Sequence, residues 1–164
     1  MNNEKTAPSQ AVLGWREWLA LPALGIPCIK AKVDTGARTS TLHAFYVDTF
    51  RRQGQLYARF GVHPVQHRSD IVVHAEAPVV DQRKVSDSGG HREERYVIHT
   101  AVALGQLQWP IELTLTNRET MLFRMLLGRT AIAGNAVVDP GQSFLAGRIR
   151  HPWEAYGAGA PSDP

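Results

Sequence analysis

Ile29-Lys30-Ala31-Lys32-Val33-Asp34-Thr35-Gly36-Ala37 alternates apolar and basic residues and then breaks into Asp-Thr-Gly. Ile29, Ala31 and Val33 fall on one side of an extended chain and Lys30 and Lys32 on the other, the period-2 pattern of a half-buried strand. Such a strand delivers Asp34 to its end, and Gly36 permits a turn that a residue with a Cβ resists. Two readings follow from this stretch alone. Either the strand places a carboxylate for chemistry, or it simply ends in residues that turns favour.

Met125-Leu126-Leu127-Gly128-Arg129-Thr130-Ala131-Ile132 bears on that choice. An apolar run closes on Gly-Arg and opens a helix-like stretch; alone, it reads as a buried strand ending in a helix cap. The two stretches together, in their order and separation, resemble a single retropepsin lobe. In that lobe an apolar-apolar-Gly strand crosses beneath the Asp-Thr-Gly loop, and its glycine lets the two backbones approach closely.

Further stretches extend the likeness: Gly14-Trp15-Arg16-Glu17-Trp18, Ala31 to Ala44, Ser88-Gly89-Gly90-His91-Arg92-Glu93 through Tyr96-Val97-Ile98, and Leu115-Thr116-Asn117-Arg118 through Arg129. From about Gly14 to Phe144 the chain resembles a bacterial retropepsin-like aspartic peptidase family formerly labelled ATP-dependent zinc proteases. Members are associated with RimK-type ATP-grasp ligases, which add glutamates to protein C-termini. The resemblance implies an all-β fold, a closed retropepsin-like (acid-protease) barrel with a short helix after the Leu-Leu-Gly-Arg strand. It implies an aspartic endopeptidase acting on a peptide or glutamate-rich protein tail, with a functional link to an ATP-grasp glutamate ligase. Catalysis falls to Asp34, Thr35 and Gly36, and support of the site to Leu127, Gly128 and Arg129. Ala37, Arg38, Gly90, His91, Arg92, Arg95, Arg118 and Arg124 are the expected substrate-binding positions.

Peptide hydrolysis without a metal or a covalent nucleophile needs one carboxylate to take a proton from water and a second, protonated, to polarise the scissile carbonyl. Two carboxyl groups held close share a proton and titrate as a coupled pair. This chain has one Asp-Thr-Gly. Asp48-Thr49-Phe50 and Asp87-Ser88-Gly89 are the nearest to a second copy, and the latter reads as a turn in a polar loop. The partner carboxylate is therefore expected from a second chain, a homodimer in which Asp34 of each subunit faces the other and Thr35 braces the two loops. Without that meeting, hydrolysis needs another acid such as Glu93, Glu94 or Asp139.

The zinc label finds little support in the residues. No H-E-x-x-H occurs, and His63 and His67, at the right separation, flank Pro64 in sequence that reads as strand and turn. His43, His74, His91, His99 and His151 are scattered, and Cys28 is the only cysteine. No metal and no cofactor is expected, nor ATP dependence, because no G-x-x-x-x-G-K-[ST] is present. A metal-dependent zinc hydrolase and a non-catalytic peptide-binding barrel stand as the alternatives.

Composition narrows the partners. The 164 residues suit one domain with a real core. The net charge of +3 is modest, and no aromatic residues interleave with a basic run, so nucleic acid is not an expected partner. No apolar stretch is long enough to span a bilayer, and the polar first ten residues lack the apolar core of a signal peptide, which makes cytoplasm the expected compartment. Fourteen of the eighteen basic residues are arginine. Arginine forks a carboxylate through two parallel hydrogen bonds, which suits an acidic peptide, although arginine richness is also a common genomic trait.

The expected organisation is a flexible segment at 1–10, a retropepsin-like domain at 11–145 and a C-terminal tail at 146–164. Leu42 to Phe50 and Leu56 to Val62 form a hairpin turning at Gly54, and Arg95 to Leu104 and Leu107 to Thr116 form another around Gly105-Gln106. Asp81 to Glu94 reads as an irregular polar loop that covers substrate. Thr130 to Ala133 is the one helical start, and 157–164 reads as disordered tail.

Overall fold

A computed structural model describes residues 11–86, 89–117 and 122–162. The Ile29–Val33 alternation lies in β3 (Ile26–Asp34), where Ile29, Ala31 and Val33 are buried while Lys32 is exposed. Before it come β1 (Ala11–Leu13) and β2 (Arg16–Leu21), the latter antiparallel to β3 with Arg16 opposite Lys32 and Trp18 opposite Lys30. A single 3-10 turn, Pro22–Leu24, closes on Gly25 at φ 71 and returns the chain into β3.

Beyond β3 the chain forms β4 (Ser40–His43), β5 (Tyr46–Arg52), β6 (Gln55–Val62) and β7 (Val73–Pro78). The expected strand at Leu42 to Phe50 is in fact two, with a break at Ala44-Phe45. β4 joins the main sheet, whereas β5, β6 and β7 make a separate antiparallel sheet. The physical reason is burial: all four residues of β4 are enclosed, while β5 has no fully buried residue. The β5–β6 turn holds Gln53 and Gly54 at φ 50 and 78, the geometry that two-residue hairpin turns demand.

The second half contributes β8 (Asp81–Ser86), β9 (Arg92–Leu104), β10 (Leu107–Thr116), β11 (Met125–Gly128), the one-turn helix α1 (Arg129–Ile132) and β12 (Ala136–Val138). Here the expected irregular loop at Asp81 to Glu94 is corrected. Asp81–Ser86 is a regular strand, antiparallel to β9 from Asp81 opposite Val97 to Ser86 opposite Arg92. Its sequence has no apolar face, so pairing with β9 rather than core burial defines it.

β11 lies between β3, to which it is parallel, and β4, to which it is antiparallel. The main sheet runs β10, β4, β11, β3, β2, β9, β8, and β9 also pairs with β10, so the pairings run back to their start. Inside sit Leu13, Leu21, Ile29, Leu42, Phe60, Ile98, Leu113, Met125 and Leu127, all fully buried. Each such side chain contributes about 1.5–3 kcal/mol relative to exposure. The fold is thus mostly β-sheet, and no helix among the described residues is long and apolar enough to cross a membrane.

One buried charge fastens the C-terminal segment. Glu17, fully enclosed, accepts backbone N–H bonds from Gly14 (2.7 Å), Leu145 (3.0 Å) and Ala146 (3.0 Å). Residues 152–156 form a 3-10 turn whose Tyr156 hydroxyl donates to the Cys28 carbonyl, and Arg68 Nη1 donates to Gly159 O at 2.9 Å. Where 157–164 was expected as disordered tail, Gly157 and Ala158 close the turn onto Glu154 and Trp153, and Gly159 is held by Arg68; residues 1–10 lie outside the described part.

Candidate active site

Asp34 ends β3 half-buried, and the chain turns immediately after it. Its Oδ1 accepts the backbone N–H of Gly36 at 2.9 Å and of Ala37 at 3.2 Å, and Ala37 N–H also reaches Asp34 O at 3.3 Å. A carboxylate fixed by backbone donors keeps one orientation, as a reacting group requires. A Cβ on Gly36 would lie 3.2 Å from that same oxygen.

The element below the loop is β11. Leu127 stands opposite Val33 and Gly128 opposite Asp34 in the parallel register. Gly128 packs so tightly that a Cβ there would meet Thr39 C at 2.6 Å, Thr39 O at 2.7 Å and Ser40 N at 2.9 Å. Its N–H is taken by the buried Ser40 hydroxyl at 3.0 Å. α1 then rises against the loop: Arg129 N–H donates to Ala37 O at 2.7 Å, Thr130 N–H to Arg38 O at 3.0 Å, and Arg129 Nη1 to Thr35 O at 3.2 Å. The Asp-Thr-Gly turn is therefore gripped from below almost entirely through backbone atoms.

A cleft of about 570 Å³ opens over this loop. Asp34, Gly36, Ala37, Arg38 and Thr39 line its floor, Thr41, His43, Thr114 and Leu126 one side, and Arg83 to Ser86 of β8 with Arg95 of β9 the other. Asp34 is the one carboxylate among the described residues that line it. Arg95 is largely enclosed, its side chain 12% exposed. Its Nη1 donates to Thr41 Oγ1 at 3.4 Å, while its buried Nε has no hydrogen-bond partner and lies 3.6 Å from Glu93 Oε2. Arg83 forks Glu112 at 2.7 and 3.1 Å and also reaches Asp81 at 2.7 Å. These bonds from Arg83 are the leading cause that holds both the Glu112 and Asp81 carboxyl groups below the usual carboxylate range.

The expected site residues separate into groups. Asp34, Gly36, Ala37, Arg38 and Arg95 come together at the cleft, with Thr35 exposed at the turn and Leu127, Gly128 and Arg129 beneath. Gly90, His91 and Arg92 are exposed near the end of the β8–β9 hairpin and do not line the cleft. Arg124 also lies outside the lining; its carbonyl accepts the His43 N–H at 2.9 Å. Arg118 and the Asp87-Ser88 pair lie outside the described residues. Sequence reasoning missed Thr41, His43, Thr114 and the whole of β8. A signal for β8 existed, because Gly89-Gly90 within a short polar connection marks a hairpin between two runs.

Among the described residues no group of three or more His, Cys, Asp or Glu side chains converges. His63 stacks on Phe45 with ring centroids 4.3 Å apart, and His67 sits at φ 63 in the turn after β6, which is not the helical geometry of a zincin pair.

Comparison with known proteins gives the same fold. The model of the RimB-like family, described as retropepsin-like aspartic endopeptidase RimB, matches residues 12–149. A protein of Shewanella pealeana named "Probable alpha-L-glutamate ligase" is 48% identical over 136 residues, which is 83% of this chain and 30% of that one. One of the same name from Parasynechococcus marenigrum is 49% identical over 139 residues, 85% of this chain and 30% of its own. The chain thus spans about 30% of the length of the curated relatives it matches. Among solved structures, protein Lpg0085 of Legionella pneumophila, of unknown function (DUF785), superposes with a TM-score of 0.71 at 31% identity, covering 84% of this chain and 99% of that one. An Asp-Thr-Gly turn gripped by an apolar-apolar-Gly strand, in a chain matched over residues 12–149, belongs to the RimB-like family of retropepsin-like aspartic endopeptidases.

Proposed function

We propose that the chain is one subunit of a cytoplasmic, homodimeric aspartic peptidase that hydrolyses acidic peptides such as glutamate-rich protein tails. The observation that carries this reading is Asp34, oriented by two backbone N–H groups at the floor of a cleft otherwise lined by cationic and neutral side chains. An ionised Asp34 takes a proton from water as the oxygen attacks the peptide carbonyl. A protonated carboxyl group hydrogen-bonds that carbonyl, and the proton then passes to the leaving amine nitrogen. Asp34 of a second copy supplies that second carboxyl, since the described lining of one chain's cleft offers only the first. The retropepsin barrel completes the reading.

Substrate acidity is argued from the cleft walls. Arg38 and Lys84 line the cleft free of described ion pairs, Arg95 beside them has Glu93 as its only described ion-pair partner at 3.6 Å, and an arginine fork takes a substrate carboxylate bidentately. Arg92 and Arg124 lie outside the cleft lining, and Arg118 lies outside the described residues. The relatives named as glutamate ligases favour a product or substrate rich in glutamate, and a functional link to an ATP-grasp ligase. They also favour a second reading, in which the barrel binds an acidic tail without cutting it.

Asp34→Asn separates the two. Hydrolysis of a peptide ending in several glutamates falls by at least about a thousandfold, with circular dichroism unchanged. Retained cleavage in the folded variant sinks the aspartic mechanism. Wild-type binding without cleavage supports the second reading, and loss of cleavage on chelation that zinc restores points to a metal hydrolase. Specific activity rises with protein concentration until the dimer saturates.

A further inference from the structure

On the far stretch of β3 from Asp34, cations crowd onto aromatic rings, and among the described residues no carboxylate pairs with them. Lys32, Lys30 and Asp34 share one face of the strand by period 2, with Arg16 and Trp18 of β2 beside them. Arg16 Cζ lies 4.6 Å from the Trp15 ring centre and 4.8 Å from that of Phe144. Lys30 Nζ is 5.3 Å from Trp18 and 5.9 Å from Phe144, and Arg148 Cζ is 5.3 Å from Phe144. Arg150 continues the patch, and a hollow of about 380 Å³ lies between Trp18, Lys30, Phe144, Arg148 and Arg150. Among the described residues none of Arg16, Lys30, Lys32, Arg148 and Arg150 forms an ion pair.

The patch is held rigid. Phe144 sits at φ 55, a left-handed conformation that a bulky side chain adopts only under constraint. Its N–H bonds to Arg16 O at 3.0 Å, and the next two N–H groups end on the Glu17 carboxylate. Arg16 Nε is tied to Ser143 Oγ at 3.2 Å. Burial, and after it the nearby Arg16 charge, lowers the Lys30 pKa.

We propose that the outer face of β2 and β3, together with residues 144–150, is a second binding surface for an acidic peptide segment, about 13 Å along β3 from Asp34. A guanidinium stacked on a ring keeps its in-plane N–H fork free for a carboxylate. Nucleic acid suits the patch less well, because base stacking needs an open aromatic face and the faces of Phe144 and Trp18 already carry cations and one another. The surface extends the peptidase reading: an acidic chain leaving the cleft at Asp34 runs onto Lys32, Lys30 and Arg148.

The test needs no turnover, so it stands apart from the peptidase assay. A peptide of about twelve glutamates, up to roughly 40 Å when extended, is titrated calorimetrically into the Asp34→Asn chain at low salt. Adding Arg148→Glu with Arg150→Glu weakens binding about tenfold. Adding Arg51→Glu with Arg52→Glu, the same charge change on β5, weakens it less than about twofold. Should the first pair fail to fold, Arg148→Gln with Arg150→Gln replaces it and weakens binding about threefold. Equal affinity in the two pairs overturns the proposal. So does tighter binding of a thymidine oligonucleotide than of the glutamate peptide, which assigns the patch to nucleic acid.

Discussion

The Asp34 loop and the β8–β9 hairpin face each other across one cleft, yet different forces hold them. Around the loop, Gly128 touches the Thr39 and Ser40 backbone, and α1 donates two N–H bonds to the carbonyls of Ala37 and Arg38. Across the cleft, β8 has no apolar face; it is held by its ladder with β9 and by Arg83, which reaches Glu112 of β10 at the surface. Backbone contacts shielded from water respond little to salt or pH, whereas exposed ion pairs are screened and titrate. One wall is therefore held by buried backbone contacts, and the other carries surface ion pairs that salt and pH can loosen.

The hardest blow to the rigid wall is Gly128→Ala. Its Cβ has no flexible side chain to displace, only backbone, so the loop or β11 must move, at about 3 kcal/mol. Denaturant unfolding shows the lower midpoint and the peptidase assay the lost activity. An unchanged midpoint would mean that the close approach of the two backbones is unimportant.

Ser40→Ala is a gentler version of the same test. It leaves the buried Gly128 N–H without its acceptor, which costs about 1–2 kcal/mol. The expected signature is a stability loss with faster amide exchange at Gly128, while the Ala37 and Arg38 carbonyl bonds persist. Exchange at Gly128 as slow as in the wild type would show another acceptor at work.

Glu112→Gln probes the adjustable wall, and the effect is smaller, less than about 1 kcal/mol. The sign with pH follows from Glu112 and Asp81, whose folded pKa values Arg83 depresses. Their contribution is fully present above the ordinary carboxylate range and is lost as pH falls through the depressed values. Thermal melts of wild type and Glu112→Gln thus differ near pH 7 and converge as pH falls below the ordinary carboxylate range. They also converge at high salt. A difference that survives both would place the hairpin among the rigid elements.

The amino-acid sequence by itself determined β3, the turn after Asp34 and the apolar strand ending at Gly128, because each is written in consecutive residues. Alternation sets the first, Asp-Thr-Gly the second, and an apolar run closed by glycine the third. Tertiary structure decided the extent of β8: Gly89-Gly90 hinted at a hairpin, but the register comes from β9 and the polar faces carry no periodic signal. It also divided Leu42 to Phe50 between two sheets, since enclosure at Ala44-Phe45 depends on neighbours far along the chain. The cationic patch is the clearest case. Arg16, Lys30, Phe144 and Arg148 are scattered over more than a hundred positions, no basic run interleaves with aromatics, and only the pairing of β2 with β3 and the Glu17 anchor bring them together. Local pattern reveals what neighbours in sequence do, and charge or ring contacts between distant segments exist only once the fold has set their distances.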